Sequence, residues 1–205
     1  MFRKAAIWTA RVACFTEGII AVKYYLFVGL PKKGEVTNRF RMLEGHGEYV
    51  EAPFWEPEVG AIRMNTNMPE FTLCHEVGHS RQPWRLAYML CFGIVNLPVE
   101  SFAIPVAISW LTLWFCLAAA ERHADYWALQ RCSLAGLQEA GVYFQKEALK
   151  TNWTYFFPVP DTHFASSTRA FMVHERILQL QANPTALPND VPMPKFKWEL
   201  NEILN

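Results

Sequence analysis

The sequence predicts a mainly α-helical protein with a small β edge element. Two apolar stretches of helix length follow each other between residues 86 and 120. Two short motifs, in segments 73–82 and 121–125, place polar side chains four residues apart, which puts each pair on one helix face. A strand pattern is confined to residues 61–66. An apolar helical hairpin is therefore expected between two polar helical motifs.

The composition narrows the class of protein. A chain of 205 residues fits one domain, and its net charge of zero without a long basic run argues against nucleic-acid binding. Hydrophobic residues reach 52%, whereas charged residues reach 19%, below the roughly 25% of ordinary soluble domains. The five cysteines form no CxxC pair and indicate reduced thiols. A membrane component is expected.

Residues 1–33 form an N-terminal membrane-associated or targeting segment. Three basic residues precede the first acidic one, Glu17, which permits a transit-type leader. Residues 5–30 are mostly apolar, but Glu17 and Lys23 would need partners inside a membrane. A partly embedded helix is the expected structure.

Residues 34–60 mix glycine, proline and charge, which predicts loops with at most one short strand. Residues 61–66 (AIRMNT) are expected to form an edge strand. A helix is predicted from 69 to 82, with Glu70 in its first turn, where the helix dipole favours an acidic side chain.

Two apolar segments follow, at 86–99 and 102–120, and the second has nineteen residues without a charge. The second is long enough to span a membrane and the first is too short. Together they predict a helical hairpin that dips into a bilayer or crosses it. The alternative is a pair of buried core helices.

The remaining segments complete the predicted order. Residues 121–150 have a helical pattern that breaks near 133–136, residues 152–163 form a loop, and residues 166–181 form a helix with a Ser/Thr cap. Residues 182–205 are an extended Pro-rich tail, expected to lie over the surface as a strap or a partner contact.

The segment LCHEVGHSRQ contains His75, Glu76 and His79 in an HExxH pattern. On a helix both histidines face one ion, while Glu76 points beside it. This arrangement suits hydrolysis by zinc-activated water, with Glu76 as the general base. Catalytic zinc needs a third protein ligand, and the metzincin extension HExxHxxGxxH is absent because Gln82 and Arg85 stand at its last two positions.

The segment ERHAD supplies the candidate for that ligand. Glu121 can reach the metal. Asp125, one turn later, can orient a ligand histidine by a hydrogen bond to the ring nitrogen that does not bind the metal. His123 would face away from Glu121. Other interpretations stay open: a polar helix face that binds nothing, Glu121 as a solvated charge next to Arg122, or Asp125 in a salt bridge with Arg122 or Arg131.

HExxH followed by ExxAD resembles the gluzincin membrane metallopeptidases, the group of the CaaX prenyl proteases, the bacterial heat-shock protease HtpX and the mitochondrial stress protease. The likeness covers roughly residues 55 to 181. It implies zincin-like helices in a domain spanning 34–181, with the apolar insert 86–120 between the two motifs.

The family has a further motif, a histidine followed six residues later by arginine, and His163 and Arg169 stand at that spacing. Phe164 and Ala170 replace the usual proline and isoleucine, and His174 is a rival histidine. The resemblance implies that His163 and Arg169 face the site as catalytic residues, where either could stabilise an oxyanion.

The first functional hypothesis is a membrane-associated zinc endopeptidase that holds one Zn²⁺ ion and cleaves membrane or unfolded proteins. Its expected partners are a protein or peptide substrate and membrane lipid, in a mitochondrial or bacterial inner membrane. The alternative is a metallopeptidase-fold protein that acts as a structural subunit of a mitochondrial membrane complex, active or inactive, and retains its metal for stability. The small size, the substitutions beside His163 and the Pro-rich tail favour that alternative.

Overall fold

The structure, a computed structural model, describes residues 2–37, 39–65, 68–97, 103–149, 163 and 165–183. The expected mainly α-helical fold with a small β element is confirmed. Two predicted segments, the loop at 152–163 and the tail at 182–205, lie outside the described residues except for residues 163, 182 and 183.

The described residues form six helices and one four-stranded sheet. The helices are α1 (Phe2–Val28), α2 (Glu70–His79), α3 (Trp84–Val95), α4 (Ala103–Arg131), α5 (Leu134–Ala148) and α6 (Ser166–Ala182). The strands are β1 (Glu35–Thr37), β2 (Phe40–Glu44), β3 (Glu48–Glu51) and β4 (Gly60–Met64). Their order in the sheet is β1-β2-β4-β3, in which β2 and β4 are parallel and the other pairs antiparallel.

The prediction of an edge strand at 61–66 is wrong, because β4 lies inside the sheet between β2 and β3. Its first residues, Gly60, Ala61 and Ile62, are buried. Arg63 of β4 donates to the carbonyl of Phe27 at 3.0 Å, and its guanidinium lies over the Phe27 ring. The segment 34–60 also holds three strands rather than one.

The second half of α1 packs on the sheet. Tyr24 and Val28 form a buried cluster with Ala52 and Ala61. The Tyr24 hydroxyl donates to Glu58, whose carboxylate also pairs with Arg41 on β2. The 1–33 segment therefore shares a hydrophobic core with the strands.

The first half of α1 joins α3 and α4 in an apolar three-helix group. Phe15 and Phe92 lie edge to face at 4.6 Å, and Ser109 donates to the carbonyl of Cys91 at 3.0 Å. By length and composition, α1 from Lys4 to Val28 and all of α4 could cross a membrane. Only 17% of each apolar window is buried, and membrane association is compatible with the fold.

The other helices build a second core beside α2. Phe71 of α2 packs with Leu137 and Phe144 of α5 and with Val173 of α6. The predicted break after residue 131 is present, and the Ser133 hydroxyl accepts from the Gly136 amide as the α5 cap. The predicted Ser/Thr cap of the last helix is wrong: Ala165 occupies the cap position of α6 and makes no side-chain bond.

Candidate metal centre

The helix α2 carries the HExxH pattern and ends immediately after it. Pro69 precedes the helix and Ser80 follows it, so His75 and His79 occupy its last two turns. Both imidazoles and the Glu76 side chain are buried. The helix crosses α4, whose apolar half continues without a break into the segment that carries Glu121 and Asp125.

Three donor atoms from the two helices form a nearly equilateral triangle. The Nε2 atoms of His75 and His79 are 3.2 Å apart, and the Glu121 Oε2 atom lies 3.1 Å from the first and 3.4 Å from the second. The i, i+4 spacing accounts for the two imidazoles, and the crossing of α2 with α4 supplies the carboxylate.

These distances fit a zinc ion. Tetrahedral zinc with bonds of 2.0–2.1 Å to nitrogen and oxygen requires ligand atoms roughly 3.3 Å apart. The observed edges of 3.1, 3.2 and 3.4 Å match one face of such a tetrahedron. Two imidazoles with one carboxylate also form a known ligand set of catalytic zinc.

The second nitrogen of each histidine has its own partner. His75 Nδ1 lies 2.9 Å from Asp125 Oδ1, and His79 Nδ1 lies 3.1 Å from Gln82 Oε1. Both partners are acceptors, so each Nδ1 carries the proton and each Nε2 is left to bind a metal. Gln82 is fixed in turn, since its amide nitrogen donates to the Ala120 carbonyl at 2.6 Å.

The structure brings the other predicted site residues to the same place. Arg169 donates to Asp125 Oδ1 at 2.6 Å, and His163 Nε2 lies 2.9 Å from Glu121 Oε2. The rival His174 is exposed on α6, and His123 is exposed on α4 beside a separate groove. The structure therefore places His163, not His174 or His123, next to the donor triangle.

The site is rich in negative charge. Burial acts to lower the pKa of His75, but hydrogen bonds to Asp125 and Glu121 outweigh it and raise that pKa to about 9. Burial also raises the pKa of Glu76, although the two imidazoles oppose the shift. Three carboxylates around two imidazoles favour a bound cation.

A cleft of about 320 Å³ opens onto the donors. The strand β3 forms one wall, α1 and α3 contribute Lys23 and Tyr88, and His75 and Glu76 lie at the floor. A second cavity of about 320 Å³ is lined by aromatic residues of α2 and α5 and shares His75, Glu76 and His163 with the cleft. The two cavities therefore lie next to each other at the donor triangle.

Two residues of the site escaped sequence analysis. In the sequence, Gln82 is visible only as a departure from the metzincin pattern, because no short pattern specifies the turn that brings it to His79. Gly78 was given no role, yet a Cβ at this position would lie 3.0 Å from Ala124 on α4. A glycine on the inner face of the motif helix indicates a close helix crossing.

Comparisons with protein-family models, with curated proteins and with solved structures give no match for this chain. The likeness to gluzincin peptidases therefore depends on the motifs themselves.

Proposed function

We propose that the chain is a membrane-associated, zinc-dependent endopeptidase of the gluzincin type. The observation that carries the proposal is the triangle of His75, His79 and Glu121, with Glu76 beside it on the floor of an open cleft. A zinc ion bound by these three residues would polarise a peptide carbonyl and lower the pKa of water.

The residues of the chain supply the proton chemistry. A Glu76 carboxylate oxygen lies within 4.8 Å of ring nitrogens of His75 and His79. In this proposal Glu76 is the general base, which takes a proton from the attacking water and returns it to the leaving nitrogen. Its raised pKa makes it a better proton acceptor than an exposed glutamate. Asp125 and Gln82 hold the imidazoles in the required orientation.

The cleft suits an extended polypeptide. Among the described strands, β3 is paired only with β4, so the backbone groups along its other edge can bond to a substrate strand. The second cavity adjoins the cleft at Glu76 and His163, so a chain that used both cavities would extend on both sides of the cleaved bond. This supports an endopeptidase rather than an enzyme that trims chain ends.

Membrane association is part of the proposal because the apolar group of α1, α3 and α4 lies beside the cleft. Ile20 of α1 and Leu117 of α4 line the cleft itself. The same helices continue away from it as exposed apolar surface. A substrate segment leaving a bilayer along these helices would meet the site directly. The proposed substrates are membrane or unfolded proteins, in a mitochondrial or bacterial inner membrane.

The decisive experiment is the Glu76→Gln variant. The variant should bind zinc as the parent does and should lose cleavage of a dye-quenched unfolded protein, because the amide cannot accept the proton. Glu139→Gln on the exposed face of α5 is the matched control and should keep both properties. Unchanged cleavage by Glu76→Gln would contradict the mechanism.

One observation favours the alternative, a structural subunit of a mitochondrial membrane complex. Outside the three-helix group, large apolar side chains are exposed on α5, on α6 and just after α5, including Tyr143, Leu149 and Phe171. Where exposed apolar side chains are contiguous, they are typical of a surface that contacts another protein, and these side chains are candidates for such a surface. A structural subunit would support assembly of its complex equally well with Gln at position 76, whereas cleavage by the purified protein would argue for the enzyme.

A further inference from the structure

His163 lies beside the donor triangle, where a fourth ligand would complete the tetrahedral coordination of a metal ion held by the other three residues. We propose that His163 is a displaceable fourth protein ligand, which closes the metal site in the resting protein and leaves it when a substrate chain enters the cleft. This inference rests on the proposed function, because it requires the same metal centre.

The distances place the His163 imidazole among the donors. Its Nε2 atom is 2.9 Å from Glu121 Oε2, close to the roughly 3.3 Å that separates two ligands of one tetrahedral zinc ion. Ligand atoms of His75, Glu121 and His163 all lie within 4.8 Å of one another. The rings of His75 and His163 are nearly parallel, with centroids 5.8 Å apart, so both present an edge toward the same carboxylate.

The start of α6 is anchored to the ligand set. Arg169, in the first turn of α6, donates to the same Asp125 oxygen that accepts from His75 Nδ1. This contact fixes the helix start over the site, and His163 precedes that start by three residues. The fixed start of α6 therefore keeps His163 close to the donors, although His163 itself lies outside the helix.

The surroundings of His163 allow it to leave. Its side chain is 38% exposed, whereas the side chains of His75 and His79 are 6% and 9% exposed. It also borders both the cleft and the second cavity, together with His75 and Glu76. A substrate chain that occupied both cavities would therefore pass next to His163.

The number of protein ligands decides whether a zinc site is structural or catalytic. A zinc site with four protein ligands is of the closed, structural type, whereas catalysis requires three protein ligands and one exchangeable position. With His163 bound, Glu76 would have no activated water to deprotonate. Departure of His163 would convert the closed site into the catalytic one, so cleavage would be coupled to substrate entry.

The test counts the imidazoles on the metal. Full-length protein with ¹⁵N-labelled histidine is loaded with ¹¹³Cd, and the histidine nitrogens coupled to cadmium are counted by NMR. The parent should show three couplings, His163→Ala should show two, and the exposed-residue control His174→Ala should show three.

Saturation of the parent with acetohydroxamate, a small metal-binding group, should remove the His163 coupling. His163→Ala should bind acetohydroxamate about tenfold more tightly or better, since no ligand competes.

Two results would overturn the inference, and they differ in what they leave standing. Two couplings in the parent, unchanged in His163→Ala, would show that His163 is not a ligand while leaving the His75–His79–Glu121 centre intact. No cadmium bound to the folded parent would remove the proposed function as well. Thermal unfolding of both histidine variants confirms that they fold, and their substituted positions lie outside the buried core.

Discussion

Gly78 of α2 lies directly against Ala124 of α4. A Cβ atom at Gly78 would come 3.0 Å from the Ala124 Cα atom and 3.0 Å from the Trp127 Cβ atom, closer than side-chain atoms normally approach. This absence of a side chain allows the two helices to cross at short range. The crossing in turn brings Glu121 and Asp125 within hydrogen-bond distance of His75.

Gly78→Ala should therefore weaken zinc binding and destabilise the fold. The added methyl forces the helices apart, and overpacking of this kind costs about 1–3 kcal/mol. Zinc affinity, measured by competition with a chelator, should fall about tenfold or more, as it does when ligand orientation is disturbed. Gly18→Ala is the matched control, because a Cβ at that helical position meets nothing within 4 Å. Equal zinc affinity in both variants would contradict the close-crossing argument.

Gln82→Ala should lower zinc affinity without unfolding the protein. His79 Nδ1 would lose the acceptor at 3.1 Å that fixes its ring, and loss of such a partner typically costs about 10–100-fold in affinity. Gln138→Ala, on the exposed face of α5, should leave the affinity unchanged. The same chelator competition measures both variants, and a Gln82→Ala affinity equal to that of the parent would remove Gln82 from the ligand support.

The helical spacing of the two motifs predicted which side chains share a face, and the structure places them as expected. Periodicity alone indicated that His75 and His79 point together and that Glu121 and Asp125 do so too. The two pairs come together only because α2 crosses α4. In the sequence, a single glycine such as Gly78 is an ambiguous signal for a helix crossing. The role of Gln82 depends on a reverse turn after α2, which no short pattern specifies.

The sheet was predicted less well than the helices, because its structure also depends on contacts between distant segments. Strand order is decided by pairing between distant segments, and each residue of β2 pairs in parallel with a β4 residue twenty positions later in the chain. The salt bridges and polar contacts that make the segment 34–60 ordered reach across to α1 and α3. Arg85 on α3, for example, joins Glu17 on α1 to Glu51 on β3. Local composition could not show these partners.

The stability of the protein should decrease as pH rises from about 4.5 to about 7, in part because of Glu51. Burial raises the pKa of Glu51 to about 7, with Glu17 adding to the effect and Arg85 opposing it. Between the ordinary value of 4.5 and 7, the folded state holds a proton that the unfolded state releases. Raising the pH through this window therefore favours unfolding.

Glu51→Gln should flatten that dependence, because the side chain no longer titrates. Thermal unfolding in one detergent at pH 5, 6, 7 and 8 gives the slope for each protein. Glu48→Gln, at the exposed end of the same strand, should keep the slope of the parent. If Glu51→Gln keeps it as well, the pH dependence arises from other groups.

Membrane binding should depend on the outward face of α4. Trp110 and Phe115 are 56% and 64% exposed within its apolar half, and each large apolar side chain contributes about 1.5–3 kcal/mol when it leaves water. Replacing both with serine should sharply reduce the fraction of protein that floats with liposomes. Leu149 and Phe171, 86% and 59% exposed but distant in sequence from the three-helix group, are the matched control pair. Equal flotation of the two double variants would show that the exposed α4 face is not the lipid contact.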